Sequence, residues 1–295
     1  MQASHDITPN FRDLYERLLR HKGDNRFAEA PLPWFDEFGD MVRAWFVSLS
    51  ARAGTPVPPM SQEELWELYA FSRVNQLLLL GFQPPRKPKE LWAPGMTVDN
   101  YDAFIKLCGM DIVRVEPFSP FFHEIVSVEP NPDVDALPRL QHEHWPAVML
   151  GDMLISRAGV TVSAGKKHMR QDIAENSTLY WEFRRRNREV SDLSHGWGSN
   201  SQWRTNFRRD YLMDGYFHFN VDGNVQPSDP DPVDTYLALD SPDTDDIPLT
   251  TSERTELLTH RCFVETDKPH RDLFPFNDTW RTPVPPSLVI VRGSG

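Results

Sequence analysis

The stretch from His195 to Arg209 holds the densest group of side chains that could recognise a ligand or a partner. Aromatic, amide and arginine side chains alternate there with small residues, in the order His195, Trp197, Asn200, Gln202, Trp203, Arg204, Arg208 and Arg209. Amides offer paired donors and acceptors, and guanidinium groups bind carboxylate or phosphate through two hydrogen bonds. The pattern predicts a binding site. It would also fit a structural segment whose tryptophans anchor a crossover to the core and whose arginines pair with nearby aspartates.

A second candidate is the pair His142 and His144, which would point to one face if the segment around them is a strand. His123, at the start of another predicted strand, would be a further ligand. A single HxH is weakly specific, and neither HExxH nor CxxC accompanies it. We therefore expect no metal, and keep a metal-dependent hydrolase that uses these three histidines as the alternative function.

Other motifs for catalysis are missing from the sequence. It contains no GxSxG motif for a nucleophilic serine and no GxGxxG or GxxxxGK[ST] loop for a nucleotide phosphate. Cys108 and Cys262 lie far apart in apolar stretches, so we expect two buried thiols and neither a disulfide nor a nucleophile. No catalytic residue and no cofactor is predicted, although an active site assembled from dispersed residues would leave no motif.

Charge is distributed unevenly along the chain, whose net charge is −12. Residues 157–209 are rich in arginine and lysine, whereas residues 210–253 contain neither and include Asp243, Asp245 and Asp246. This acidic block is open to three interpretations: a solvated loop, an ion-pair network with the basic block, or a docking surface for a basic protein. Interleaved Arg and Trp would suit a nucleic acid, but the acidic block would repel a polyanion, so we do not expect that partner.

Hydrophobic periodicity predicts helices through the first hundred residues. Apolar side chains recur at helical spacing in residues 11–19 and 35–46. Ser61 and Glu64 form a capping box, in which each side chain accepts the other residue's backbone N–H, and it begins a helix that runs to Leu80. A fourth helix is expected over residues 98–107, before Gly109.

From Asp111 onward the pattern changes towards the alternation that is typical of strands. Residues 166–190 return to helical spacing, Asp222 and Gly223 suit a type I′ hairpin turn, and Thr250 with Glu253 predicts a second capping box. Strands are predicted in residues 111–116, 123–129, 235–239, 261–265 and 287–291, with two more in 148–164 that meet near Ala158 and Gly159.

These elements predict an α+β fold. A helical region at residues 1–108 is followed by a β-rich, mostly antiparallel region at residues 109–295, either separate from the first or continuous with it. The N-terminal residues lack the apolar stretch of a signal peptide, and the longest apolar run, residues 77–80, is too short to span a bilayer. We therefore expect a cytoplasmic protein without membrane contact.

The acidic surplus and the missing catalytic motifs favour a binding protein over an enzyme. The best hypothesis is a bacterial immunity protein that neutralises a basic toxin or nuclease by occupying it. The alternative remains the metal-dependent hydrolase.

Overall fold

The computed structural model describes residues 8–23, 25–52, 54–85, 95–194, 203–226, 249–266 and 276–293. Helices occupy Phe11–Arg20 (α1), Arg26–Glu29 (α2), Pro31–Ser50 (α3), Gln62–Leu79 (α4), Val98–Leu107 (α5), Gln171–Asn176 (α6) and Thr251–His260 (α7), with a 3-10 turn at Leu80–Phe82. Strands occupy Asp111–Glu116 (β1), His123–Pro130 (β2), Arg139–Trp145 (β3), Ala147–Leu150 (β4), Met153–Ser156 (β5), Ala158–Ala164 (β6), Leu179–Tyr180 (β7), Val190–Ser191 (β8), Asp210–Met213 (β9), Tyr216–Phe219 (β10), Trp280–Pro283 (β11) and Val289–Arg292 (β12). The predicted α+β fold, with helices first and a mostly antiparallel sheet after them, is confirmed.

Helix α4 lies at the centre of the helical layer. Its predicted capping box is present, because Ser61 Oγ accepts from the Glu64 N–H at 3.2 Å and Glu64 Oε2 accepts from the Ser61 N–H at 2.8 Å. Leu65 is buried, and so is every residue from Leu68 to Leu79. The second half of the helix is therefore enclosed on all sides, so its polar side chains must find partners inside the protein.

Two sheets are joined by one long, bent hairpin. The larger sheet has the strand order β11-β10-β9-β5-β4-β1-β12 and the smaller one the order β2-β6-β3. Only Pro146 separates β3 from β4, and only Arg157 separates β5 from β6, so both arms of the hairpin pass from one sheet to the other. The hairpin turns at Gly151, where φ is 56°, so the first of the two strands predicted here is divided into β4 and β5, while β5 and β6 meet at Arg157, beside the predicted Ala158 and Gly159.

The seven-stranded sheet carries a core on each face. Ile112 in β1 packs with the helices, whereas its neighbour Val113 packs in the opposite core, between the two sheets. The first core combines residues of α1, α3, α4 and α5 with residues of the sheet. The helical region and the sheet therefore share one core. Both Cys108 and Cys262 are free and buried, as predicted.

Residues 166–190 do not form the long helix that their spacing predicts, and only α6 is helical there. The backbone N–H groups of Phe183 and Arg184 donate to Gln76 Oε1 at 2.8 and 2.7 Å. Because a side chain of α4 satisfies these donors, the segment can follow an irregular path without a helical hydrogen-bond ladder.

The hairpin of β9 and β10 turns at Asp214 and Gly215, whose φ values of 52° and 76° fit a type I′ turn. The position predicted from the sequence, Asp222 and Gly223, is wrong because Asp222 lies beyond β10 and pairs with Arg209.

Residues 261–265, predicted as a strand, follow α7 without strand pairing. The backbone N–H groups of Val264 and Glu265 donate to the Glu256 carboxylate, so a side chain takes the place of a neighbouring strand. The capping box of Thr250 and Glu253 is confirmed, and so is the last predicted strand, now β12. The strand predicted at residues 235–239 lies outside the described residues. Within the described ranges, no helix is long and apolar enough to cross a membrane.

Candidate functional site

Buried arginines and carboxylates meet between the two sheets, where β9 begins. We call this group the central arginine cluster; its members are Arg157, Arg185, Arg208, Arg261, Glu124, Glu182 and Asp210. They come from β2, the β5–β6 junction, the segment after β7, the start of β9 and the end of α7. The cluster therefore ties together elements that are distant in the sequence.

Asp210 is the carboxylate on which the cluster converges, and it has no exposed surface. Its Oδ1 accepts from Arg208 Nε at 2.8 Å, and its Oδ2 accepts from Arg261 Nη2 at 3.1 Å. A third guanidinium, that of Arg157, lies 3.6 Å from Oδ2. Burial raises the pKa of Asp210, but these three guanidinium groups outweigh it and lower the pKa to about 2.

Two glutamates complete the cluster. Glu182 accepts from Arg261 Nη1 at 2.7 Å and lies 3.0 Å from Arg185 Nη2. Glu124 receives Arg185 through two bonds, from Nε at 2.8 Å and from Nη2 at 2.7 Å. Burial raises the pKa of Glu124, but the charge and hydrogen bonds of Arg185, together with the charges of Arg188 and Arg261, lower the pKa below its ordinary value. Such two-bond pairs are the strongest form of ion pair in proteins.

Arg157 is the least satisfied member of the cluster. Its side chain is 1% exposed, and none of its three nitrogens has a hydrogen-bond partner among the described residues. Burial lowers the pKa of Arg157, and the charge of Arg261 lowers it further. A buried guanidinium without a full set of acceptors is costly, so this position is the natural place to look for a ligand.

A small cavity opens beside the cluster. Its volume is about 30 Å³, which is room for one or two water-sized species. Its walls include Tyr69, Ser72 and Gln76 of α4, Glu182, Asp192, Arg208 and Arg261. Asp192 accepts from the Tyr69 hydroxyl at 2.7 Å and from the Ser194 N–H at 2.9 Å. In this shape the cavity is too small for an organic metabolite.

The described candidate residues of the stretch from His195 to Arg209 lie in different surroundings. Trp203 is half-buried, with the Arg73 guanidinium 4.0 Å from its ring centroid and that of Arg12 at 5.5 Å. Arg204 is exposed and lies 5.5 Å from the Trp66 ring.

Arg208 and Arg209 lie in the interior and not on a surface that is open to a partner protein. Arg209 bonds Asp222 at 2.7 Å and the Pro58 carbonyl at 3.0 Å. These two side chains are therefore not open to a partner protein in this structure, and each pairs with an aspartate. The remaining candidates, His195, Trp197, Asn200, Gln202, Asp243, Asp245 and Asp246, lie outside the described residues.

The three histidines of the alternative metal site do not meet. His142 and His144 lie close on β3, with ring centroids 4.7 Å apart, and His144 Nε2 bonds Thr161 Oγ1 at 2.9 Å. His123 lies in β2, on the other side of β6, where its buried Nδ1 accepts from the Ser119 N–H. Among the described residues no group of three His, Cys, Asp or Glu side chains is placed to hold a metal.

An open groove of about 480 Å³ runs between the outer strands of the two sheets. Its walls are formed by residues of β1, β3, β6 and β12. Val289 and Val291 of β12 are 60% and 59% exposed and lie opposite Glu116 and Arg114 of β1. Glu143 of β3 lies 3.6 Å from Arg114, whereas Glu116 is exposed and has no ion-pair partner in the described ranges. We call this feature the β12 groove.

No family model, no curated protein and no solved structure matches this chain. Its sites must therefore be interpreted from their own geometry.

Sequence reasoning named only Arg208 of the seven cluster members as a site residue, and it missed the β12 groove. A signal for the cluster was present, because Glu124 and Arg157 interrupt apolar strand sequences and Asp210 directly follows two arginines. Charged residues in such positions are rarely buried unless they are paired. No comparable signal marks β12 as an edge strand, since its position in the sheet depends on long-range pairing.

Proposed function

We propose that this protein binds a basic partner protein through the β12 groove and acts by occupying that partner, without catalytic turnover. In its narrower form, the proposal is an immunity protein that neutralises a basic toxin or nuclease in the bacterial cytoplasm. The observation that carries the binding role is the exposed edge strand β12 with its two outward valines.

An edge strand offers two means of attachment. In an antiparallel ladder every second residue directs its N–H and C=O groups away from the paired strand. In the part of the chain that the structure describes, β12 pairs with β1 alone, so its outer groups can receive an added strand. Such a strand would place alternate side chains on the same face as Val289 and Val291, over the groove.

The opposite edge of the same sheet differs in a way that supports this choice. Strand β11 ends in Pro283, which has no N–H to donate, and its exposed Arg281 lies over the Tyr216 ring at 5.2 Å. Proline and charged side chains are the usual protection of an edge against pairing with another chain. Strand β12 has the sequence VIVR and no proline.

Charge favours a basic occupant. Glu116 borders the groove as an exposed carboxylate without an ion-pair partner among the described residues, and the chain has a net charge of −12. Opposite charges at the rim of an interface mainly increase the rate of encounter and exclude partners of the wrong sign.

The test is affinity capture from native lysate, followed by equilibrium binding and activity assays with the purified partner. The variant Val289→Lys/Val291→Lys should lose at least about tenfold in affinity, since it removes apolar contact and adds repulsion to a basic strand. Val47→Lys is the control, because Val47 is equally exposed, at 61%, on helix α3. The wild-type protein should also inhibit the partner's activity at a one-to-one ratio.

Equal affinity of the β12 variant and the wild-type protein would contradict the groove as the binding site. A partner with an acidic surface would contradict the charge argument, and a captured partner whose activity is unaffected would contradict the inhibitory role.

A further inference from the structure

The central arginine cluster has hydrogen-bond donors that its own carboxylates do not use. Arg208 Nη1 and Arg261 Nε have no partner among the described residues, and both side chains line the small cavity. Both arginines are 6% exposed. Behind them lies Arg157, whose three nitrogens are likewise without a hydrogen-bond partner in the described ranges. Two of these three arginines thus line one small space and carry buried donors that no described residue uses.

The carboxylates nearby are already engaged. Asp210 accepts from two arginines and from the Asn220 N–H, and Glu182 accepts from Arg261. Asp192, on the cavity wall, accepts from Tyr69 and Ser194. Arg188, buried beside the cluster, donates to the backbone carbonyls of Ser177 and Ile125 and therefore adds a cation without a carboxylate. The positive charge of this region exceeds what the carboxylates neutralise.

We propose that the cavity beside Arg208 and Arg261 binds a small monovalent anion of about the size of chloride. A volume of about 30 Å³ admits a halide and excludes phosphate esters and organic acids. The anion would accept hydrogen bonds from the unused guanidinium nitrogens and offset the charge of Arg157, which shares Asp210 with both cavity arginines. This site is independent of the β12 groove.

The direct experiment is anomalous diffraction from crystals of the full chain soaked in sodium bromide. We expect a bromide peak in the cavity, within hydrogen-bond distance of Arg208 or Arg261. In solution, sodium chloride should raise the Tm with the logarithm of its concentration above the Kd, by roughly 3 to 5 °C between 1 and 100 mM for a site of millimolar affinity. Sodium gluconate at the same ionic strength should not, because its anion is too large for the cavity.

Two variants make the assignment specific. Arg157→Met removes charge without removing a hydrogen bond between described residues, and should abolish the chloride-dependent rise in Tm. Arg209→Met should retain it, because Arg209 is also buried but bonds Asp222, Pro58 and Tyr211 instead of the cavity. A cavity without bromide, or equal effects of chloride and gluconate on the wild-type protein, would overturn the proposal.

Discussion

The central arginine cluster and the β12 groove differ in the volume of space beside them, in their exposure to solvent and in the pairing of their charged groups. The cluster lies beside a cavity of about 30 Å³ and holds its guanidinium groups against buried carboxylates. The groove has about 480 Å³ of open space, two exposed valines and a carboxylate without an ion-pair partner among the described residues. The comparison teaches that the buried arginines of the cluster, Arg208 among them, are held by carboxylates inside the fold, whereas the surface that we propose for a partner lies along an ordinary strand.

The largest effect should come from the shared carboxylate of the cluster. Asp210→Asn would leave Arg157, Arg208 and Arg261 without their common anion, and we expect a loss of about 3–5 kcal/mol in the free energy of unfolding. Chemical denaturation measures it. The control is Asp152→Asn, which affects an exposed pair with Arg292 at 3.7 Å and should change stability by about 1 kcal/mol or less. Equal effects of the two variants would remove the distinction between buried and exposed charge.

The same carboxylate should give acid sensitivity. Because the folded-state pKa of Asp210 is lowered to about 2, its contribution to stability is complete above the unfolded pKa of about 4 and is lost as the pH falls from there towards 2. The stability of the Asp210→Asn variant should therefore depend less on pH in this window than that of the wild-type protein.

Glu67 extends the comparison, since it is a half-buried carboxylate whose pKa is affected by burial and not by a guanidinium. Burial raises its pKa to about 7, although a hydrogen bond from the Phe11 N–H opposes the rise. The folded state then holds a proton more tightly than the unfolded state, so stability falls as the pH rises from about 4.5 to 7. We expect Glu67→Gln to stabilise the protein by about 1–2 kcal/mol at pH 8, after allowance for solvent screening, and by much less at pH 5. A benefit that does not change with pH would contradict this account.

At the groove, charge should affect association more than stability. Glu116→Lys should slow association with the basic partner by about three- to tenfold at low salt, and the difference should shrink as salt is added. Stopped-flow kinetics measures the association rate. The control is Glu129→Lys on β2, which changes the charge by the same amount outside the groove. The triple reversal of Asp243, Asp245 and Asp246 to Lys tests whether the acidic block contributes to the same encounter. Rates that are equal for both glutamate variants would exclude a local role for the groove.

Much of the fold could be predicted from signals between residues that are close in the sequence. The capping boxes at Ser61 and Thr250 fixed two helix starts, because their hydrogen bonds involve only residues three positions apart. Alternation identified β1, β2 and β12 for the same reason. The prediction of a long helix over residues 166–190 was wrong, because Gln76, about a hundred residues earlier in the chain, satisfies backbone donors of this segment.

The sites depended on long-range pairing. The stretch that ends at Arg209 was recognised as unusual, but its sequence does not say that Arg208 and Arg209 point inward to Asp210 and Asp222. The β12 groove exists because β12 pairs with β1, which lies more than 170 residues earlier in the chain. No local pattern contains that information.

The most direct measurement of the central claim is hydrogen–deuterium exchange of the protein alone and in complex with its captured partner. We expect the free N–H groups of β12, at alternate residues of Val289–Arg292, to exchange rapidly in the free protein and to become protected in the complex. The amides of β11 at the opposite edge should be unchanged. Protection that appears elsewhere while β12 exchanges as it does in the free protein would contradict the assignment of the β12 groove as the partner site.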